Sequence, residues 1–223
     1  MNELVVAVVP IRSFRQGKTR LASILSESER ADLMKESGNG VVRAALDSRV
    51  IDTVLVVSPD HHALSWADSF GPRVQSLAQD EATPGLNEAL DAARTWALER
   101  DVDRILSLFA DLPLLNCREV RKLISRRQPV VLGPDRRFEG TNSLALDLRG
   151  KGGQFQFSFG AGSLQKHLAE ADRLGLEVGV LKLPGVEFDL DVPADWQEFR
   201  QRGELVPAGE QGFPAWALCG ATD

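Results

Sequence analysis

Leu4–Val5–Val6–Ala7–Val8–Val9–Pro10 is a nearly all-apolar run closed by a proline. A strand with one wet face alternates apolar and polar side chains, whereas a strand covered on both faces does not. Strands of the second kind belong to parallel sheets flanked by helices. The run is too short to cross a bilayer. It has neither a basic segment before it nor a small-residue cleavage pattern after it, so it reads as a buried strand rather than a leader.

The same signal recurs downstream, spaced by helical patterns. Ser26 and Glu29 form a capping-box signature for a helix over Glu27–Leu46, with Gly38 and Gly40 as weak points in its continuity. Strands are expected at Thr53–Val57, Val74–Leu77, Arg104–Phe109 and Pro129–Leu132, with helices at Leu86–Leu98 and Arg118–Ser125. Alternation of strand and helix from Leu4 to Leu132 predicts the α/β class, with a mostly parallel central sheet and helices on both faces. Further on, Ser143–Leu146 and Phe155–Phe159 read as short strands around the glycine turn Gly150–Gly153. A helix over Ser163–Leu174, a strand at Val178–Leu183 and a helix over Ala194–Arg202 follow. The expected organisation is one domain over residues 1–203 and a loose extension, rich in Gly, Pro and Ala, over 204–223.

With 223 residues, 43% of them hydrophobic, the chain can bury one continuous core. Its formal net charge of −6 offers no basic field to nucleic acid or an anionic membrane, and neither is expected as a partner. An anionic substrate must then be met by local cations or a bound metal. Cys117 and Cys219 have no metal-ligand spacing and build no disulfide framework, which points to the cytoplasm.

Ligands of open parallel sheets sit beyond the carboxyl ends of the strands, and three polar clusters fall there. Pro10–Ile11–Arg12–Ser13–Phe14–Arg15–Gln16–Gly17–Lys18–Thr19–Arg20–Leu21 sets four cations around a glycine. Glycine lets a phosphate approach the backbone, Lys18 supplies a point charge, and Arg12 and Arg20 supply forked donors. The spacing is not that of a Walker A loop, and a solvated basic loop is the plain alternative. Asp111 directly follows an apolar strand, where it can hold a hard cation or cap the next turn. In Phe188–Asp189–Leu190–Asp191–Val192–Pro193, an extended backbone puts both carboxylates on one face and Leu190 on the other. Like charges so close call for a cation between them; an Asx turn ahead of the helix is the alternative. Asp195 suits the N-terminal charge of that helix.

Glu139–Gly140–Thr141–Asn142–Ser143 and Phe159–Gly160–Ala161–Gly162–Ser163 offer hydroxyls, an amide and helix N–H groups to an anion. Both also read as glycine turns, the second with Ser163 as N-cap. Gly85–Leu86–Asn87 is either a base or ribose contact or a turn plus cap. His61 and His62 are adjacent, do not share a helix face, and read as surface. His167 lies near the second anion loop and is given no catalytic role. No nucleophile–base pair stands out, which suits direct transfer to a substrate phosphate by positioning and charge neutralisation.

These pieces, in this order, resemble the 2-phospho-L-lactate guanylyltransferase family of coenzyme F-420 biosynthesis, which includes enzymes acting on phosphoenolpyruvate and 3-phospho-D-glycerate. The resemblance rests on Pro10 with Gly17–Lys18–Thr19–Arg20–Leu21, Pro84–Gly85–Leu86–Asn87–Glu88–Ala89–Leu90, Ala110–Asp111–Leu112–Pro113, Gly140–Thr141–Asn142, Phe159–Gly160–Ala161–Gly162–Ser163 with His167, and Asp189–Leu190–Asp191–Val192–Pro193. It covers residues 4–200 and implies a three-layer nucleotidyltransferase fold. It also implies GTP as donor, a small phosphorylated acid as acceptor, diphosphate as product and magnesium as the metal. On that pattern Asp111, Asp189 and Asp191 bind magnesium, and Lys18 and Asp111 are catalytic. Arg12, Lys18, Arg20, Gly85 and Asn87 meet the nucleotide, and Thr141, Gly160 and Ser163 hold the acceptor. The glycine-rich stretch Arg149–Gln154 and the tail after Gly203 depart from the family pattern, which leaves the choice of acceptor open. Other readings are a transferase for molybdopterin or a sugar phosphate, a glycosyltransferase with an Asp-x-Asp pair, and a nucleotide-binding regulator without turnover. A homodimer is one assembly considered.

Overall fold

The computed structural model describes residues 3–15, 17–80 and 82–204, so all but the first residue of the expected extension lies outside the described residues. The strands are β1 (Val5–Pro10), β2 (Thr53–Ser58), β3 (Val74–Ala78), β4 (Arg104–Leu108), β5 (Val130–Pro134), β6 (Thr141–Asp147) and β7 (Val178–Val180). They form one sheet in the order β3-β2-β1-β4-β6-β5-β7. Only β6 runs against its neighbours among these strands. The mostly parallel sheet expected from the sequence is therefore present.

The helices are α1 (Glu27–Asp47), α2 (His61–Asp68), α3 (Leu86–Leu98), α4 (Cys117–Ile124), α5 (Ser163–Leu174), α6 (Pro184–Glu187) and α7 (Pro193–Glu204). Val5, Ala7 and Val9 of β1 pack with α1, α2 and α4, while Val6 and Val8 pack with α3 and α5. This two-sided burial is why β1 does not alternate in sequence. The capping box at Ser26 and Glu29 forms in full. Gly38 and Gly40 do not break α1, which runs through both, and the Trp66 ring of α2 lies beside Gly38. None of the described helices is long and apolar enough to cross a membrane.

Two expectations need correction. Phe155–Phe159 is extended but joins no ladder. Its alternate residues Phe155, Phe157 and Phe159 are buried as in a strand, yet the backbone donors go to side chains. The N–H groups of Gln156, Ser158 and Phe159 donate to Glu170, His167 and Asn87. The last strand is shorter than expected, ending at Val180, and Pro184 opens the four-residue α6. The glycine-rich stretch forms the expected turn, of 3-10 type, over Gly150–Gln154. The reading of the two cysteines rests on Cys219, which lies outside the described residues.

A small third core of Leu21, Leu33, Phe188, Leu190 and Phe199 lies apart from the two that cover the sheet. It ties the end of the basic loop, α1, the carboxylate segment and α7 to one another, and so fixes the loops from which the site is built.

Candidate active site

A cavity of about 570 Å³ opens where β1, β4 and β6 meet their loops. Arg12, Lys18 and Arg20 lie on its wall, as do Asp111, Asp189, Asp191, Thr141, Gly160 and Ser163. A second cavity of about 480 Å³ shares Pro10, Ile11, Arg12 and Leu86 with it and continues past Gln79, Pro84 and Gly85. The two form an elongated cleft along the carboxyl edge of the parallel strands, where such sheets bind ligands.

Leu190 is buried in the third core, and the residues on either side of it line the cavity, as period two requires. The Leu190 N–H donates to the Asp111 carbonyl at 3.2 Å, joining the two carboxylate segments through their backbones. The Lys18 ammonium lies 2.6 Å from Asp111 Oδ2 and 2.6 Å from Asp191 Oδ1. Burial pulls the Lys18 pKa down, but Asp111 and Asp191 outweigh it and hold the ammonium above the ordinary lysine range. Asp189 is pushed up, first by burial and then by the charges of Asp191 and Asp111. It accepts a hydrogen bond from Asn142 Nδ2 at 3.3 Å. Asp195 serves the backbone: its Oδ2 accepts from the N–H groups of Asp191 and Val192, both at 2.9 Å. Arg136 holds Asp195 from behind at 2.7 Å and lies over the Phe188 ring.

The carboxylates fit a hard divalent cation in donor chemistry, since all are oxygen ligands on one cavity wall and Asp189 is strained by its like-charged neighbours. Among the described residues, however, no three acidic, His or Cys side chains already stand as a ready metal cluster. Lys18 supplies the positive charge in their midst.

Thr141 and Ser163 are interlocked. The Thr141 N–H donates to Ser163 Oγ at 2.8 Å, and Thr141 Oγ1 lies 3.0 Å from His167 Nδ1. The N-cap of α5 is Gly162, in a left-handed conformation with φ of 67°, and not Ser163, which is the first helical residue. Asn87 meets neither cavity. Its amide is used on Phe159, accepting from the N–H at 2.7 Å and donating to the carbonyl at 3.3 Å. It therefore clamps the acid loop to α3. Gly85 does line the second cavity. Asp135 lines the main cavity and was not singled out from the sequence, where it reads as an ordinary turn residue. Gln79, buried and holding the Thr83 and Gly85 carbonyls through its Nε2, was likewise missed.

The sheet order and the loop-built cleft define a nucleotidyltransferase-type fold. A putative nucleotide-diphospho-sugar transferase from Desulfovibrio desulfuricans superimposes with a TM-score of 0.72 at 16% identity, covering 97% of this chain and 94% of that one. A nucleotidyl transferase from Methanothermobacter thermautotrophicus gives 0.63 at 17% identity, covering 89% and 97%. Within that class, the chain belongs to the CofC-like guanylyl transferase family, whose model matches residues 5–209. Phosphoenolpyruvate guanylyltransferase of Rubrobacter xylanophilus is 39% identical over 89% of this chain and 95% of its own. The enzyme of the same name from Sphaerobacter thermophilus is 36% identical over 86% and 91%. The 2-phospho-L-lactate guanylyltransferase of Methanothermobacter thermautotrophicus is 32% identical over 92% and 87%.

Proposed function

We propose that this protein transfers GMP from GTP to a small phosphorylated carboxylic acid and releases diphosphate, in coenzyme F-420 biosynthesis. The acceptor is phosphoenolpyruvate or 2-phospho-L-lactate, with 3-phospho-D-glycerate as a third candidate. The observation that carries this reading is that Lys18, three carboxylates, Thr141 and Ser163 line one cavity. The family and the names of its relatives agree with it.

An acceptor phosphate oxygen attacks the α-phosphorus of GTP, forming one P–O bond while the bond from that phosphorus to the β-phosphate bridge breaks. The nucleophile is already ionised near neutral pH, so no general base is needed; repulsion between the anions is the obstacle. Thr141, Gly160 and Ser163 hold the acid, and Lys18, Arg12 and Arg20 meet the triphosphate. The second cavity, past Gln79 and Gly85, has room for the base. Asp111, Asp189 and Asp191 would hold magnesium, which supplies charge neutralisation on the phosphates. We take residues 1–203 as the catalytic domain and place the enzyme in the cytoplasm, with a homodimer as the assembly to test by light scattering.

The test is incubation with GTP, magnesium and an equimolar mixture of the three acids, with products read by mass spectrometry. A guanylylated acid with matching diphosphate is expected. GTP binding without any acid-dependent diphosphate refutes the reading in favour of a regulator.

A further inference from the structure

We infer that His167 is a positioning residue that fixes the polarity of the Thr141 hydroxyl, so that its single proton is directed into the acid pocket to meet an anionic oxygen. The inference rests on the acid-binding reading of this pocket given above.

The argument starts at Ser158. A backbone N–H can only donate, and that of Ser158 lies 3.1 Å from His167 Nε2. Nε2 must therefore offer its lone pair. In a neutral imidazole the proton then sits on Nδ1, which is 3.0 Å from Thr141 Oγ1. The other tautomer would set two N–H groups against each other at Ser158. So Nδ1–H donates, Thr141 Oγ1 accepts, and the single Thr141 hydroxyl proton is left for the cavity that the residue lines.

Ser163 repeats the logic. Its Oγ accepts the Thr141 N–H at 2.8 Å, which leaves its own proton unassigned on the same cavity wall. Neither hydroxyl donates to a protein acceptor among the described residues. Thr141 and Ser163 are 4% and 2% exposed, so an unspent donor at either is costly until a ligand accepts from it.

His167 itself is fully buried between Phe155 and Phe159, with ring centroids 5.8 and 4.6 Å away. That apolar sandwich keeps the ring neutral. Burial, then Lys166, pull its pKa down to about 4, against a weaker opposing pull from Glu170. A charged imidazolium would still donate to Thr141 but would lose the Ser158 contact. The neutral ring makes both bonds, and this is why a histidine serves here.

Two hydroxyl protons directed into the pocket favour an anionic ligand. An ionised phosphate or carboxylate accepts them more strongly than an ester or amide of the same shape, which offers fewer lone pairs and no charge.

Three measurements on the intact protein test this. First, ¹⁵N NMR of wild type at pH 7 is expected to show His167 as the Nδ1–H tautomer; an Nε2–H ring or an imidazolium overturns the inference. Second, phosphoenolpyruvate and inorganic phosphate are titrated into wild type, His167→Gln, His167→Asn and Thr141→Val. Gln can reach Ser158 but not Thr141, so it weakens both anions roughly 10- to 100-fold, with the KM for GTP little moved. Asn places an amide N–H where Nδ1–H was, and binds more tightly than Gln. Equal affinity of wild type and His167→Gln, or of wild type and the near-isosteric Thr141→Val, overturns the inference. Third, guanylyl transfer is assayed in parallel. Anion binding with the expected variant order but no transfer refutes the proposed activity and leaves this inference standing, whereas no anion binding by folded wild type refutes the inference itself.

Discussion

Lys18→Met is the perturbation with the most to say about the carboxylate wall. The Lys18 side chain is 8% exposed and contacts Asp111 and Asp191 at 2.6 Å each, with those side chains 28% and 43% exposed. Removing one partner of a fully buried ion pair costs about 3–5 kcal/mol. Here water reaches both carboxylates, so the cost in metal-free buffer is set at about 1–3 kcal/mol. The methionine keeps the side-chain volume but leaves Asp111, Asp189 and Asp191 facing one another with no cation. A divalent ion then restores what the lysine supplied. Saturation at a hundred times Kd returns about 2.7 kcal/mol, and the variant gains more from metal than wild type, whose ammonium has to leave first.

The assay is urea denaturation of both proteins in EDTA and in magnesium or manganese. The expected result is a stability gap in EDTA that closes when metal is present. Turnover should nonetheless fall about 10²–10³-fold in Lys18→Met, since a charge on the transferring phosphates is lost. A gap that is the same with and without metal, or no gap in EDTA, refutes the view that these carboxylates require a cation.

Asp189→Asn keeps the hydrogen bond from Asn142 but relieves the repulsion that pushes Asp189 up. Turnover should drop about 10²–10³-fold, while urea denaturation in EDTA shows stability equal to or above wild type. Phe155 is wholly buried against Phe157 and the His167 ring, so Phe155→Ala should cost about 3–5 kcal/mol by the same denaturation method. His167 also sets a pH dependence, since burial holds its pKa down to about 4 in the folded protein, against about 6.5 for a free imidazole. Between those values the unfolded chain binds a proton that the folded one refuses, so stability falls as pH drops from about 6.5 to about 4, by about 3 kcal/mol in all. Denaturation curves across that range should show the slope, and His167→Gln should flatten it. Gly85 has φ of 141°, and a Cβ there would stand 2.0 Å from the Glu88 carboxylate; Gly85→Ala should raise the KM for GTP and leave that for the acid unchanged.

Where the physics is local, the residues announce it. The apolar run of β1, the Ser26–Glu29 box and the alternation around Leu190 each depend on neighbours within one turn or one pleat, and each is legible in the chain. Phe155–Phe159 shows where that stops. Burial of every second residue is the same whether the backbone bonds go to a neighbouring strand or to side chains. What decides is that Asn87 and His167, on different helices, reach the segment first. The clamp that Asn87 makes on Phe159 was illegible for the same reason, since its partner is 72 residues away. The four-residue α6 is too short to show any period.

Lys18 is the sharpest case, because its partners lie 93 and 173 residues off and its backbone defies the local rule. Gly17 precedes it, and a left-handed turn in that loop would ordinarily fall on the glycine. Instead Lys18 holds φ of 56° and ψ of 38°, a conformation that costs a residue with a Cβ on the order of 1–3 kcal/mol. The two ion pairs offset that cost by aiming the ammonium between Asp111 and Asp191. Were those carboxylates to take a metal, as proposed above, the offset would be lost while the strain stayed, and the lysine would be free to turn toward the proposed phosphate substrate.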